Sequence, residues 1–272
     1  MRTILRNTIE RFPFLAQIYR TLRDQLDRHK PSIQTPWGFT LAGHEEMAKG
    51  CFEPEETEVV RALLREVDVL VNVGANIGYY CCHALAMGKK VIAVEPIARN
   101  LHYLLMNIRN NGWSKMVEVF PVAVGEQTDL LEMWGGGTGA SLIKGWAGIS
   151  ENYVTQVPVH TLDRILGGAL NGRKALIIVD VEGAEYMMLR GAEVTLQIVP
   201  APIWMMEISA TTHQPQGVSI NPHLEDTFNA FFSKGYRATS VERDNREVTF
   251  LNVRDWSNRK VSQPTHNFIF RK

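Results

Sequence analysis

Carboxylate and imidazole side chains follow two apolar runs in the second half of the chain. Asp180 and Glu182 come directly after the run 175–179. Glu207 ends a second apolar run, and His213 lies a few residues further on. Such groups can take a proton from a hydroxyl, and an unperturbed histidine, with a pKa of about 6.5, suits this task near neutral pH. Because open α/β sheets bind ligands at the carboxyl ends of their strands, we expect the four side chains to share a cleft.

Each of these side chains also has another interpretation. Asp180 could cap a helix, but it is our first choice for the site because it follows an unbroken apolar strand. His213 could be an ordinary loop histidine. With Glu182 and Glu207, these two residues could bind a Mg2+-like ion, but the spacing of the four matches no compact metal motif, so a metal is not expected. The sequence does not decide whether Glu185, on the next predicted helix, faces solvent.

A glycine turn followed by a second strand and a carboxylate indicates a ligand that carries a ribose. The run 69–79 reads VLVNVGANIGY, and the run 91–96 reads VIAVEP. Gly74 allows a sharp turn and lets backbone N–H groups approach a ligand closely. Glu95, at the end of the second strand, is placed to accept hydrogen bonds from two ribose hydroxyls.

The residue at the third position of this turn distinguishes between cofactors. Dinucleotide-binding turns read G-x-G-x-x-G, and their second glycine lets a pyrophosphate lie against the backbone. Here Asn76 takes that place. Asparagine tolerates positive φ but still carries a side chain. A nicotinamide cofactor is therefore disfavoured, and S-adenosylmethionine (SAM), which has no pyrophosphate, fits better.

Strand patterns alternate with helical patterns through the middle of the chain, which predicts a doubly wound, mostly parallel α/β sheet. We predict strands near 68–73, 90–95, 117–124, 175–181 and 203–208, and helices near 76–88, 97–111, 184–190 and 223–234.

Towards the C-terminus the pattern changes to strands alone. Residues 236–241, 248–251 and 267–270 resemble strands, with no helix predicted between the last two. We therefore expect a seven-stranded sheet with an antiparallel C-terminal edge strand. A glycine-rich stretch, 135–139, is predicted to be a mobile loop; Trp134 and Trp146 flank it and could stack on a sugar or pack in the core.

The first 32 residues are predicted to form a basic amphipathic helical extension, with 33–272 as the main domain. Apolar residues recur at helical spacing between arginines. The extension could pack on the main domain, form a homodimer or lie on an anionic membrane surface, and the sequence leaves these open.

Composition narrows the class of protein. The formal net charge is zero, so the overall basic surface typical of nucleic-acid binding is missing. The sequence has no apolar stretch as long as a membrane span, and its three cysteines form no disulfide pattern. We expect a cytoplasmic protein, with peripheral membrane contact through the extension as one alternative.

Taken together, these segments resemble the FkbM family of SAM-dependent methyltransferases over Val69–Phe270. The motifs that carry the resemblance are Val73–Gly78 (VGANIG), Val94–Pro96 (VEP), Val122–Gly125 (VAVG), Thr161–Asp163 (TLD), Val179–Glu185 (VDVEGAE) and Asn267–Phe270 (NFIF).

The resemblance implies a SAM site. Gly74, Asn76 and Gly78 would surround the methionine part of SAM, and Glu95 its ribose. Val122 and Ala123 would contact the adenine. The whole implied donor site comprises Asn72, Gly74, Ala75, Asn76, Gly78, Glu95, Pro96, Val122, Ala123 and Asp180. Two positions depart from the family pattern: Asn72 replaces a usual aspartate, and Ile178 stands where lysine is common.

The expected function is SAM-dependent O-methylation of a hydroxyl on a carbohydrate, glycolipid or related metabolite. Methyl transfer requires the acceptor oxygen to lie in line with the S–CH3 bond, so positioning supplies much of the rate. The alternatives are a SAM-binding, degenerate partner subunit, suggested by Asn72, and an NAD-type oxidoreductase.

Overall fold

A computed structural model describes the protein at residues 31–241 and 246–272. The extension predicted over 1–32 lies almost entirely outside these residues. The described helices are α1 (Glu45–Lys49), α2 (Pro54–Leu64), α3 (Tyr79–Ala86), α4 (Ala98–Asn110), α5 (Leu162–Leu166), α6 (Glu185–Arg190), α7 (Leu224–Phe232) and α8 (Phe250–Ser257). Among them, none is long and apolar enough to cross a membrane.

The strands form three sheets within the described part of the chain. They are β1 (Ile33–Gln34), β2 (Thr40–Leu41), β3 (Val69–Val73), β4 (Lys90–Val94), β5 (Val117–Phe120), β6 (Ala123–Val124), β7 (Asp129–Trp134), β8 (Val154–His160), β9 (Ala175–Val179), β10 (Ile203–Glu207), β11 (Arg237–Ser240), β12 (Glu247–Val248) and β13 (Asn267–Arg271).

The largest sheet has the order β12-β11-β13-β10-β9-β3-β4-β5. Strands β10, β9, β3, β4 and β5 are parallel, whereas β13 runs antiparallel to both of its neighbours. Helices α2, α3 and α4 pack on one face, and α5 to α8 pack on the other. All five residues of β3 are buried, as expected of a parallel strand covered on both faces. The predicted doubly wound α/β class is confirmed.

The C-terminal part of the sheet differs from the prediction. The sheet has eight strands among the described residues, and β13 lies between β10 and β11, so the edge strand is β12. Phe270 stacks on Phe231 of α7 with ring centroids 3.9 Å apart, and Phe268 is equally buried. An edge position would leave part of this aromatic surface in water, which explains the interior place of β13.

Helix α8 replaces the predicted strand at 248–251. Thr249 and Asn252 form a capping box, in which each side chain accepts a hydrogen bond from the backbone N–H of the other. Val253 and Trp256 then follow at helical spacing and are buried. The predicted strand at 248–251 is therefore correct only at Val248, which pairs in β12, because local capping outweighs the β propensity of the rest of this apolar run.

A three-stranded sheet of β6, β8 and β7 was not predicted. The predicted strand 117–124 divides at Pro121, which has no N–H to continue the pairing of β5. Ala123 then pairs with Val159 of β8. Past β7, residues Gly137–Gly139 form a short 3-10 turn. This sheet therefore places Val122 and the glycine-rich stretch beside the ends of β3 and β4.

The turn after β3 brings three strand ends together at Gly74. Its backbone N–H, like that of Ala75, donates to the carbonyl of Val94 at 3.0 Å. Gly74 has φ +83, and a Cβ atom there would lie 1.8 Å from the carbonyl oxygen of Asp180. Only glycine therefore fits between β4 and β9 at this point.

Gly74→Ala should destabilise the protein more than Gly88→Ala. Gly88 has a similar φ of +75 but open space around its Cβ position. Both variants should lose about 1–2 kcal/mol through left-handed backbone strain, and Gly74→Ala about 1–3 kcal/mol more through overlap. Chemical denaturation would measure both losses. Equal losses would show that overlap with the Asp180 carbonyl does not add to the destabilisation of Gly74→Ala.

Candidate active site

A cleft of about 550 Å3 opens at the carboxyl ends of β3, β4 and β9. The sheet of β6, β7 and β8 closes one side of it through apolar side chains, among them Val122, Met133 and Leu142. The predicted site residues that line this cleft are Gly74, Asn76, Glu95, Pro96, Val122, Ala123, Asp180 and Glu182.

Three residues of the predicted donor site lie outside the lining of the cleft. Asn72 is buried on the face of β3 that α2, α3 and α4 cover, where its Nδ2 donates to Sγ of Cys81 at 3.5 Å. The alternation of side chains along β3 places it on this face. Ala75 is buried, and Gly78 precedes α3. These residues shape the turn from behind.

Glu95 ties the glycine turn to the end of β4. It is 3% exposed, and its Oε2 accepts the backbone N–H of Asn76 at 2.7 Å. Its Oε1 accepts the N–H of Ile97 at 2.8 Å and Nδ2 of Asn100 at 3.2 Å. Burial raises the pKa of Glu95 to about 7 against these hydrogen bonds, which lower it. Protein donors thus already occupy much of the carboxylate expected to bind ribose.

Asp180 and Glu207 stand side by side at the ends of β9 and β10, because Val179 pairs with Met206. Asp180 faces the open cleft, while Glu207 is half-buried beside it. Desolvation by the surrounding protein raises the pKa of Asp180 well above its ordinary value, and the charge of Glu207 raises it further. Burial, followed by repulsion from Glu182 and other carboxylates, raises the pKa of Glu207 to about 7.

Glu182 and His213 complete the predicted group. Glu182, at φ 52, accepts Nε1–H of Trp146 at 2.7 Å, and burial raises its pKa. His213 is exposed, and its ring lies 6.0 Å from that of Trp146. Its charge lowers the pKa of Glu182. Trp146 is buried, so it positions Glu182 rather than offering a face to a sugar.

Three polar residues near the cleft were not predicted as site residues. Glu185 begins α6 fully enclosed, and its Oε1 accepts the N–H of Gly183 at 2.8 Å; burial raises its pKa to about 8. Asn100 lines the cleft from the first turn of α4. His266 has a pKa lowered by burial and by the charge of His213. Of the three, only Asn100 could have been found from the sequence, because it lies in the first turn of the helix that follows Glu95.

No metal site was found in the described part of the chain: no group of three or more histidine, cysteine, aspartate or glutamate side chains there could hold an ion.

The model of the methyltransferase FkbM domain matches residues 72–238 of this sequence, more than half of the chain. The chain belongs to the FkbM methyltransferase family. This confirms the family predicted from the sequence, a family of SAM-dependent methyltransferases. Among curated proteins, no sequence matches it.

Solved structures with a similar fold include three methyltransferases or relatives. The FkbM methyltransferase from Methylobacillus flagellatus KT has a TM-score of 0.46 at 15% identity, and the match covers 94% of this chain and 60% of that one. Precorrin-6y C5,15-methyltransferase from Geobacter metallireducens GS-15 has 0.43 at 11%, covering 85% and 95%. Aeropyrum pernix fibrillarin, solved with natively bound SAM, has 0.38 at 13%, covering 78% and 73%.

This FkbM methyltransferase therefore spans about 60% of the length of its Methylobacillus counterpart. At these identities and TM-scores, the three structures say nothing about its acceptor.

The residues of the cleft fit SAM. The glycine turn at Gly74, the acidic Glu95 and the apolar wall around Val122 suit an amino-acid tail, a ribose and a purine. In addition, Oδ1 of Asn100 is buried with no hydrogen-bond partner among the described residues. A buried acceptor of this kind is suited to a ligand donor.

Glu185→Gln should stabilise the protein in alkaline solution. A folded-state pKa of about 8 against 4.5 means that the folded protein holds this proton more tightly, so wild-type stability falls as the pH rises through that window. Glutamine does not titrate and can still accept from Gly183. We expect a gain of about 1–3 kcal/mol at pH 9 that shrinks towards pH 5.

Denaturation curves at both pH values would measure this gain, with the exposed Glu118→Gln as the control. A gain that does not vary with pH would contradict the buried, titrating carboxyl.

Proposed function

We propose that this FkbM methyltransferase methylates a hydroxyl of a carbohydrate, glycolipid or related metabolite. The observation that carries the proposal is the position of Asp180: its carboxylate faces the open cleft between Gly74 and Glu182. A hydroxyl is a weak nucleophile until a base takes its proton, and a carboxylate with a raised pKa suits this role near neutral pH.

The donor would be held by residues on the β3, β4 and β6 side of the cleft. These are Gly74, Asn76, Glu95, Pro96, Val122 and Ala123. SAM, when bound, supplies an electrophilic methyl group on a sulfonium centre. The apolar wall of Met133 and Leu142 keeps water from this side of the cleft.

The carboxylates on the β9 and β10 side would take up the proton of the acceptor hydroxyl. Asp180 accepts the proton of the acceptor hydroxyl at its carboxylate oxygen. Glu207 keeps the proton affinity of Asp180 high through repulsion between the two charges. Glu182, fixed by Trp146, lines the same cleft and can orient a polyhydroxylated acceptor by hydrogen bonds. The exposed His213 lies outside this lining, so it has no role in this proposal.

The alternative of a degenerate subunit gains no support from this geometry. It was motivated by Asn72, which lies behind the turn and not in the lining of the cleft. What supports the carbohydrate class is the polar carboxylate edge of the cleft.

Asp180→Asn should abolish methyl transfer while sparing donor binding. We expect the rate to fall about 100-fold or more because the amide cannot take the hydroxyl proton. Transfer of labelled methyl from SAM to a panel of glycans and glycolipids would measure the rate, and calorimetry with S-adenosylhomocysteine would measure binding. Asp129→Asn, an exposed site on β7, is the matched control. Undiminished transfer by Asp180→Asn would refute its role as the base.

The rate should rise with pH beyond the ordinary titration range of an aspartate, because the base works only when deprotonated and the pKa of Asp180 is raised. Glu207→Gln removes the neighbouring charge, so the pKa of Asp180 should fall and the rising limb should move about one unit towards acid. The pH dependence of kcat would measure this shift. An unmoved limb would show that the two carboxylates do not titrate together.

A further inference from the structure

Asn100 has a hydrogen-bonding arrangement that is incomplete without a ligand. It is 3% exposed, and its Nδ2 donates to Oε1 of Glu95 at 3.2 Å and to the carbonyl of Gly137 at 2.9 Å. The carbonyl of Gly137 can only accept, so the amide nitrogen of Asn100 must face it. The opposite atom, Oδ1, is buried and has no partner among the described residues. A donor is therefore missing at this point of the cleft lining.

The number of further hydrogen bonds that Glu95 can accept is also limited. A carboxylate offers about two acceptor sites on each oxygen. The N–H of Ile97 and Nδ2 of Asn100 fill Oε1, whereas Oε2 has one donor, the N–H of Asn76. Glu95 can therefore accept one further hydrogen bond rather than two. A ligand that presents two adjacent hydroxyls needs a second acceptor close by.

We propose that Oε2 of Glu95 and Oδ1 of Asn100 divide the two hydroxyls of the ribose between them. The inference rests on the proposed donor site and assigns Asn100 as a residue that selects a ribonucleoside cis-diol. The link from Nδ2 to Glu95 keeps the two acceptors adjacent. The link to Gly137 holds the glycine-rich stretch against the same corner of the cleft.

The test compares the protein with ligands that lack one hydroxyl. Calorimetry would give the affinities of S-adenosylhomocysteine and of its 2′-deoxy and 3′-deoxy analogues for the wild type and for Asn100→Ala. In the wild type, loss of either hydroxyl should weaken binding about tenfold. Each deoxy analogue gives one ratio, its Kd divided by that of S-adenosylhomocysteine. In Asn100→Ala, one of these two ratios should fall to within about twofold of unity, while the other should stay at its wild-type value. Such selective coupling would not follow from a purely structural role.

A control variant and a folding measurement sharpen the comparison. Leu142→Ala, in the same cleft but with no polar group, should weaken all three ligands by a similar factor. Chemical denaturation of Asn100→Ala shows whether that variant is folded, and the two wild-type ratios test the assignment in either case.

Three results would overturn the assignment. The first is a wild type in which only one hydroxyl matters. The second is an Asn100→Ala variant that keeps both ratios. The third is an Asn100→Ala variant that keeps both ratios but no longer prefers S-adenosylhomocysteine to S-inosylhomocysteine, which lacks the adenine amine. That result would assign Oδ1 to the adenine amine. By contrast, a wild type that binds none of the ligands would overturn the donor site itself, and the assignment with it.

Discussion

The contact between Gly74 and the carbonyl of Asp180 is the constraint on which the rest of the site depends. On one side of Gly74, two backbone N–H groups bond to Val94 at the end of β4. On the other side, Asp180 approaches so closely that no Cβ atom could be accommodated. The wall that carries Glu95 and the wall that carries Asp180 are therefore held at a distance set by one glycine. A bulkier residue would separate β9 from β3 and widen the cleft between donor-binding and proton-accepting groups.

The meeting of strand ends at Gly74 also places several carboxylates at one end of the sheet. Desolvation raises the pKa of these groups by more than their hydrogen bonds lower it. Glu95 accepts three hydrogen bonds that favour its charged form, yet burial still raises its pKa to about 7. Glu185 behaves in the same way, with a pKa of about 8. These groups make the fold less stable as the pH rises, which is the kind of cost that functional sites commonly carry. Of these carboxylates, Asp180 is the exposed one.

Much of the sheet was predictable because its central strands are continuous apolar runs. Strands β3, β4, β9 and β10 lie within one or two residues of their predicted bounds, so Glu95, Asp180 and Glu207 were correctly expected at strand ends. The C-terminal region was less predictable, since a capping box at Thr249 and aromatic packing around β13 decide it. Capping competes locally with strand propensity, and the packing joins residues far apart in sequence.

Side-chain direction was the other quantity that the sequence did not give. Glu185 was equally compatible with solvent and with the interior, and only tertiary packing encloses it. Asn72 was assigned to the donor site by its place in the family motif, whereas the parity of β3 turns it towards Cys81. Cys81 is close enough to Glu95 for that charge to contribute to its raised pKa.

The environment of Asn72 gives a physical reason for the departure from the family pattern. An aspartate there would add a carboxylate to a buried region that already feels the charge of Glu95, with a thiol as its neighbour. Uncompensated burial of a second negative charge is costly. Asparagine keeps the size and an acceptor without that charge. The change therefore avoids a second buried carboxylate close to Glu95.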